Sequence, residues 1–207
     1  MNKNHSVLAA LLLVASTTAF AGENYVALDL GQGKAADACT GLSADFSCTD
    51  TASTTRFGIG HQFSPNIAAE IGYLSSGDAT ASATYYNYWG TATAKESFKQ
   101  SVSGINLAIV GSMPVNETFS LIGKVGLLKS TVKSSYDYTD YTYYGTSTRA
   151  SISYDNTTVG YGFGTLFKAN DALSLRLMYE DFGSVKACST CTGGNLTMIS
   201  AGLLIGF

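Results

Sequence analysis

The chain has 207 residues, of which 45% are hydrophobic and only 13% charged, with 22 glycines, 13 tyrosines and a formal net charge of −3. A slight acidic excess with no Lys/Arg stripe excludes nucleic acid as a partner. Abundant Gly and Tyr with so few charges suit strands and turns better than helices.

Lys3 and His5 precede an apolar run over 7–15, which is followed by small polar residues and Ala19-Phe20-Ala21. A basic start, a short apolar core and an A-x-A site read as a secretory signal over residues 1–21, cleaved after Ala21. The run is too short to span a bilayer, and no later stretch approaches the roughly 20 apolar residues of a membrane helix. The exported part, residues 22–207, is expected to be one domain, either soluble outside the cytoplasm or a membrane barrel.

Alternation divides that part into eight strand-like segments, 24–30, 55–63, 67–74, 101–110, 119–128, 157–167, 173–182 and 195–207. In the first, Val26, Leu28 and Leu30 oppose Asp29; in the second, Phe57, Ile59 and Phe63 oppose Arg56, Gly58, Gly60 and Gln62. Ile67, Ala69, Ile71 and Tyr73 then oppose Glu70 and Gly72, and Ile105, Leu107 and Ile109 oppose Gly104 and Asn106. The fifth sets Phe119, Leu121, Val125 and Leu127 against Ser120, Lys124 and Gly126; the sixth sets Val159, Tyr161, Phe163 and Phe167 against three glycines. In the seventh, Leu173, Leu175, Leu177 and Tyr179 oppose Ser174, Arg176 and Glu180. The last carries an almost purely apolar face and a glycine-rich one, and ends on Phe207.

Three connections, at 64–66, 114–117 and 168–171, are short and contain the Pro, Asn and Asp of tight turns. The other four, at 31–54, 75–100, 129–156 and 183–194, are long and rich in Thr, Ser, Tyr, Asp and Gly, and the two kinds alternate without exception. In an antiparallel barrel all tight turns and both termini then lie at one end, as in outer-membrane barrels with periplasmic turns and extracellular loops. Pairing the last strand with the first removes the open apolar edge that it would otherwise present.

Two solvents fit this alternation. A soluble lipocalin-like barrel would turn the apolar face inward around a ligand. The opposite face, however, is glycine-rich and carries few charges, which makes a poor water-facing surface and a good narrow interior. Lys124 or Arg176 aimed at lipid near the midplane would cost about 2–4 kcal/mol. We therefore expect an all-β fold, an eight-stranded antiparallel up-and-down transmembrane β-barrel. Arg56, Glu70, Asn106, Lys124, Arg176 and Glu180 would form its interior polar network, a structural plug.

The segment Gly60-His61-Gln62-Phe63-Ser64-Pro65-Asn66-Ile67-Ala68-Ala69-Glu70-Ile71-Gly72-Tyr73-Leu74 resembles the second-to-third strand hairpin of the OmpA-like (OmpA/OmpX-type) outer-membrane barrels. Residues 173–183 resemble the seventh strand of that family, and Gly123-Lys124-Val125-Gly126 its fifth. The resemblance covers the strands and fades in the connections. It implies a Gram-negative outer-membrane location, an interior ion-pair network to which Glu70, Lys124, Arg176 and Glu180 would correspond, and Phe207 as the terminal aromatic read by the barrel assembly machinery. Larger members append a peptidoglycan-binding domain; this chain stops at the barrel, so no cell-wall tether is expected.

Other residues bear on activity. His61, the one histidine outside the signal, lies outward beside a turn with no serine at a matching position on its strand, so an interfacial side chain is expected. Neither a catalytic residue nor a cofactor or metal site is expected. Cys39, Cys48, Cys188 and Cys191 all fall in long connections, and an oxidising compartment makes them disulfides. Four cysteines allow three pairings; local pairs are preferred, cross-loop bridges remain open, and Cys-x-x-Cys lacks the setting for redox or zinc chemistry. Tyr85, Tyr86, Tyr88 and Trp89 form one aromatic cluster, and Tyr136, Tyr138, Tyr141, Tyr143 and Tyr144 another. Tyr among Ser, Thr, Gly and Asn is the composition of adaptable binding surfaces, here for host or matrix ligands; strands extended above the membrane are the other reading. Lys95, Lys99, Lys129, Lys133, Arg149 and Lys186 at the loop end read first as ordinary solvated charge; a collar that meets lipopolysaccharide phosphates is the other reading. The expected role is structural with an adhesive surface; a small channel for water or ions is the alternative, and a lipid A-modifying barrel the third reading.

Overall fold

The computed structural model describes residues 24–35, 39, 43, 45–142 and 145–207. The expected signal over 1–21 lies outside them, as do Tyr143 and Tyr144. Ten strands follow in chain order: β1 Asn24–Ala35, β2 Ser47–Thr49, β3 Thr51–Ser64, β4 Ile67–Ser76, β5 Ala79–Tyr86, β6 Ala92–Pro114, β7 Phe119–Asp140, β8 Ser147–Lys168, β9 Leu173–Val185 and β10 Gly194–Gly206. All pairings are antiparallel, and β1, β3, β4, β6, β7, β8, β9 and β10 form a closed ring of eight. β1 pairs with β10 from Tyr25 opposite Gly206 to Ala35 opposite Leu196, and the Phe207 amide donates to the Asn24 carbonyl at 2.9 Å. Phe207, expected within the last strand, lies one residue past it but completes the seam.

Two of the tight turns are built alike. The Asn116 side chain accepts from the amides of Thr118 and Phe119, and the Asn170 side chain from those of Ala172 and Leu173. Each Asn thereby replaces a backbone acceptor and sets the register of the hairpin that it closes.

At this end the strand starts and stops agree with the sequence pattern within a residue, except that β6 runs on to Pro114, four residues past the expected 110. At the opposite end they do not. β6, β7 and β8 run for 23, 22 and 22 residues, and most of the connections expected at 75–100 and 129–156 is strand. β2 and β5 continue β3 and β4 in the same direction past short breaks, pairing Cys48 with Ala81. β1, β9 and β10 stop after 12, 13 and 13 residues. One side of the barrel therefore rises as a five-stranded sheet, β2-β5-β6-β7-β8, far above the other. Along the first part of β8 both faces are exposed, and there and on the paired part of β7 polar Ser, Thr and Tyr occupy both faces, so the two-residue period fades while their strand preference persists.

Inside the ring the facing follows the alternation. Leu28, Phe57, Ile71, Leu107, Val125, Val159, Leu177 and Ile199 are exposed on the outside, and Asp29, Arg56, Glu70, Lys124, Arg176 and Glu180 are buried inside. An apolar outside of this extent, wrapped around a charged inside, fits a hydrocarbon solvent.

Candidate functional site

The lumen carries three layers. The middle one is a closed cycle of alternating charge. Asp29 on β1 accepts from Arg56 Nε at 3.0 Å and from Arg176 Nη2 at 2.6 Å. Arg176 Nη1 reaches Glu70 at 2.7 Å, and Lys124 Nζ joins Glu70 at 2.7 Å to Glu180 at 3.2 Å. Glu180 closes the cycle on Arg56 through both oxygens, at 2.7 and 2.5 Å. Three carboxylates and three cations therefore balance, each touching two opposite charges, as a buried ion network needs, with Arg56 Nη2 the one nitrogen of the cycle left without a partner.

Glycine makes room for it. Opposite Asp29 and Arg176 stands Gly202, opposite Glu70 stands Gly60, and opposite Lys124 and Glu180 stands Gly162. A Cβ at Gly162 would lie 2.6 Å from Glu180 Cγ, so any side chain there displaces the network. Tyr25 lies across Gly60 and donates its hydroxyl to Glu70 at 3.3 Å.

Sequence reasoning placed Arg56, Glu70, Lys124, Arg176 and Glu180 together, and the structure brings them together. It missed Asp29 and Tyr25. Asp29 showed its inward facing as the polar residue among Val26, Leu28 and Leu30, and the charge count on that face, two acids against three bases, left a place for it. Asn106 is buried inside but donates to the Leu127 carbonyl at 3.2 Å, outside the ion cycle.

Above the cycle the lumen turns apolar, where a polar interior was expected. Leu74, Val102, Leu128, Val132, Phe182, Val185, Leu196 and Met198 form one buried cluster. Leu74 and Leu128 are four residues beyond Glu70 and Lys124 on the same inward face, so continuing the alternation past the charges would have found this layer. Below the cycle, a cavity of about 160 Å³ lined by Tyr25, Gln62, Ser112, Ser174 and Arg176 opens toward the tight turns. The ion cycle and the apolar cluster lie in series along the described lumen and are expected to close it to ions. Planar-bilayer recordings of the refolded protein are expected to show no steady conductance; a discrete ohmic step would refute the seal.

The tall wall joins Tyr85 of one aromatic cluster to Tyr136 and Tyr138 of the other. Tyr85 on β5 and Tyr136 on β7 both donate to Glu96 on β6, at 3.3 Å each, and Tyr138 stands opposite Glu96. Phe98 packs on Tyr136 at 4.8 Å between ring centroids and on Phe46 at 6.1 Å. Partial desolvation, followed by the Glu96 carboxylate, pushes both phenols above their ordinary value. Tyr86, Tyr88 and Trp89 instead crown the β5-β6 hairpin; Tyr88 and Trp89 meet edge to face at 5.5 Å, 94% and 84% exposed. Asn87 holds that tip by accepting from the amides of Trp89 and Thr91, and Gly90 supplies the positive φ of 74°. Tyr141 is exposed just past β7.

The cations do not form a collar. Lys129, Lys133, Lys99, Lys95 and Arg149 climb the outer face of the tall wall, on positions alternate to Glu96, Phe98, Tyr136 and Tyr138. Arg149 pairs with Asp137, and Lys186 lies beyond β9. Both disulfides are local, Cys39–Cys48 and Cys188–Cys191, although Cys48 lies in β2 rather than in a loop. His61 is exposed on the outside of β3, with Nδ1 2.9 Å from the Asn24 side-chain oxygen and its ring edge to face with Phe63 at 4.8 Å. Among the described residues no cluster of His, Cys, Asp and Glu could hold a metal.

Comparison with known proteins agrees with this architecture. The profile of the family described as "Outer membrane protein beta-barrel domain" matches residues 7–207. The solved structure of neisserial surface protein A aligns over 89% of this chain and 97% of its own, with 14% identity and a TM-score of 0.52. Ail, the attachment invasion locus protein of Yersinia pestis, aligns over 89% of this chain and 99% of its own at 15% identity, TM-score 0.45. The N-terminal barrel of Pseudomonas aeruginosa OprF aligns over 90% and 98% at 9% identity, TM-score 0.45. At 14% identity the likeness to neisserial surface protein A is one of fold. No curated protein sequence matches the chain significantly.

Proposed function

Because the chain belongs to the outer membrane protein beta-barrel domain family, we propose that it is a sealed barrel of the Gram-negative outer membrane whose tall wall is an attachment surface for host or matrix ligands. The observation that carries this reading is the contrast between the two parts. The lumen is filled by an ion cycle and an apolar plug, whereas the five-stranded sheet above it presents tyrosines, Phe98 and an exposed Trp89 that no membrane contact requires. Exposed aromatics on a rigid scaffold supply contact area at small cost in conformational entropy. In this reading the long wall is extracellular, the tight turns and Phe207 are periplasmic, and the β10 strand is what the barrel assembly machinery engages.

Shortening the wall tests it. Residues 83–95 and 137–149 are each replaced by a two-residue turn, and adhesion of expressing bacteria to host cells and to immobilised matrix is counted. Attachment should fall to background while the boiled and unboiled bands still differ on a gel; unchanged attachment with an intact barrel would end the adhesive reading.

The same reading gives the outer-face cations a partner. Lys129 stands directly above Leu127 on the outside of β7, at the level where outward apolar residues give way to polar ones, and Lys133 and Lys99 follow above it. In this reading that is the level of the lipopolysaccharide phosphates. Neutralising Lys99, Lys129 and Lys133 together should reduce lipopolysaccharide retained through purification, and equal retention would leave these lysines as ordinary solvated charge.

A further inference from the structure

The inner face of the tall wall differs in charge from its outer face. Lys95, Lys99, Lys133 and Arg149 all occupy outward positions, while Glu96 lies on the inward face among Tyr85, Phe98, Tyr136 and Tyr138. Among the described residues no lysine or arginine lies within ion-pair distance of Glu96; its two oxygens take one phenol hydroxyl each, at 3.3 Å. Asp45 is close enough to add a second negative charge to the environment of Tyr85. Tyr85 and Phe98 remain 38% and 41% exposed, so the rings beside the carboxylate can be reached from solvent.

We propose that Glu96, with the rings of Tyr85, Phe98, Tyr136 and Tyr138, is a receptor for an arginine side chain of a protein partner. Each element of the site matches the guanidinium. A carboxylate whose oxygens are each only partly occupied accepts its paired N–H donors side by side. Aromatic faces stack on its plane and attract its charge, and it is more weakly hydrated than an ammonium, so it loses less on leaving water. The Tyr85 and Tyr136 hydroxyls hold the carboxylate in place before the ligand arrives. One such contact binds weakly alone, which fits a polypeptide partner that makes further contacts with the wall. The inference rests on the attachment reading and assigns a chemistry to it.

The test uses the full exported chain refolded into vesicles of zwitterionic lipid and three fluorescent peptides of one sequence, alternating glycine with arginine, lysine or citrulline. Anisotropy titrations should give affinity in the order arginine, lysine, citrulline, with the uncharged citrulline peptide at least about tenfold weaker than arginine. Glu96→Gln should remove that preference and Phe98→Ala should weaken arginine binding, whereas the outer-face pair Lys99→Gln/Lys133→Gln should keep it. Equal affinity of the arginine and citrulline peptides, or wild-type arginine binding by Glu96→Gln, would overturn the receptor. The two readings fail separately. Cell attachment that needs the wall but survives Glu96→Gln, with no arginine preference, removes the receptor alone; an arginine preference together with attachment that survives loss of the wall removes the attachment reading alone.

Discussion

Asp29→Asn is expected to lower the unfolding free energy of the barrel in lipid by about 3–5 kcal/mol, the usual result of taking one partner from a buried ion pair. Asp29 is fully buried and is the one carboxylate that bridges two guanidiniums, Arg56 and Arg176. Asparagine keeps the shape and removes the charge, so the two buried arginines lose their shared counter-ion. Glu70→Gln should cost a similar amount, since it likewise leaves each of its two cations, Arg176 and Lys124, with one remaining carboxylate. Urea titration of vesicle-embedded protein, read as the fraction migrating in the folded band, measures both. An unchanged midpoint for Asp29→Asn would mean that the cycle is not a structural unit.

Leu107→Arg is expected to cost about 2–4 kcal/mol in a bilayer. Leu107 sits outward in β6, 55% exposed, between Ile71 on β4 and Leu127 on β7, so the new charge would stand in an apolar band with no partner. The same substitution on a soluble barrel would place arginine in water and change little. Refolding yield and urea midpoint in vesicles decide between the two solvents, and a neutral result would return the outer face to water.

How much of this was legible depended on which solvent wrote the pattern. In the membrane-spanning half, lipid on one side and a narrow lumen on the other force alternation, so the facing of Arg56, Glu70, Lys124, Arg176 and Glu180 followed from counting by twos. The turns at Asn116 and Asn170 were equally legible, because their side chains make the hydrogen bonds that define them. Farther up, both faces of β8 are exposed, and residues such as Thr148 and Ser151, with Ser134 and Ser135 on the paired β7, give no period to read. The tyrosines at 85, 136 and 138 looked like two loop clusters because antiparallel pairing, which joins them around Glu96, is non-local. Asp29 was passed over for a similar reason. Its two partners lie on β3 and β9, and only closure of the ring brings both within reach.

That closure has a consequence for the order of events. β1 meets β10 along eleven residue pairs, from Tyr25 with Gly206 to Ala35 with Leu196, so its second neighbour comes from the far end of the described chain. Asp29 and Arg176, 147 residues apart, meet only when this happens. Contacts of such high separation bear their loop-closure entropy before they return any energy. Early strands therefore gain little by forming first: β1 would expose an unpaired edge, and the charges of the cycle would face lipid or one another half-compensated. Insertion and folding should accordingly coincide, as one late step taken after β10 has been synthesised and exported. Until then the chain needs to be kept extended and unaggregated in water.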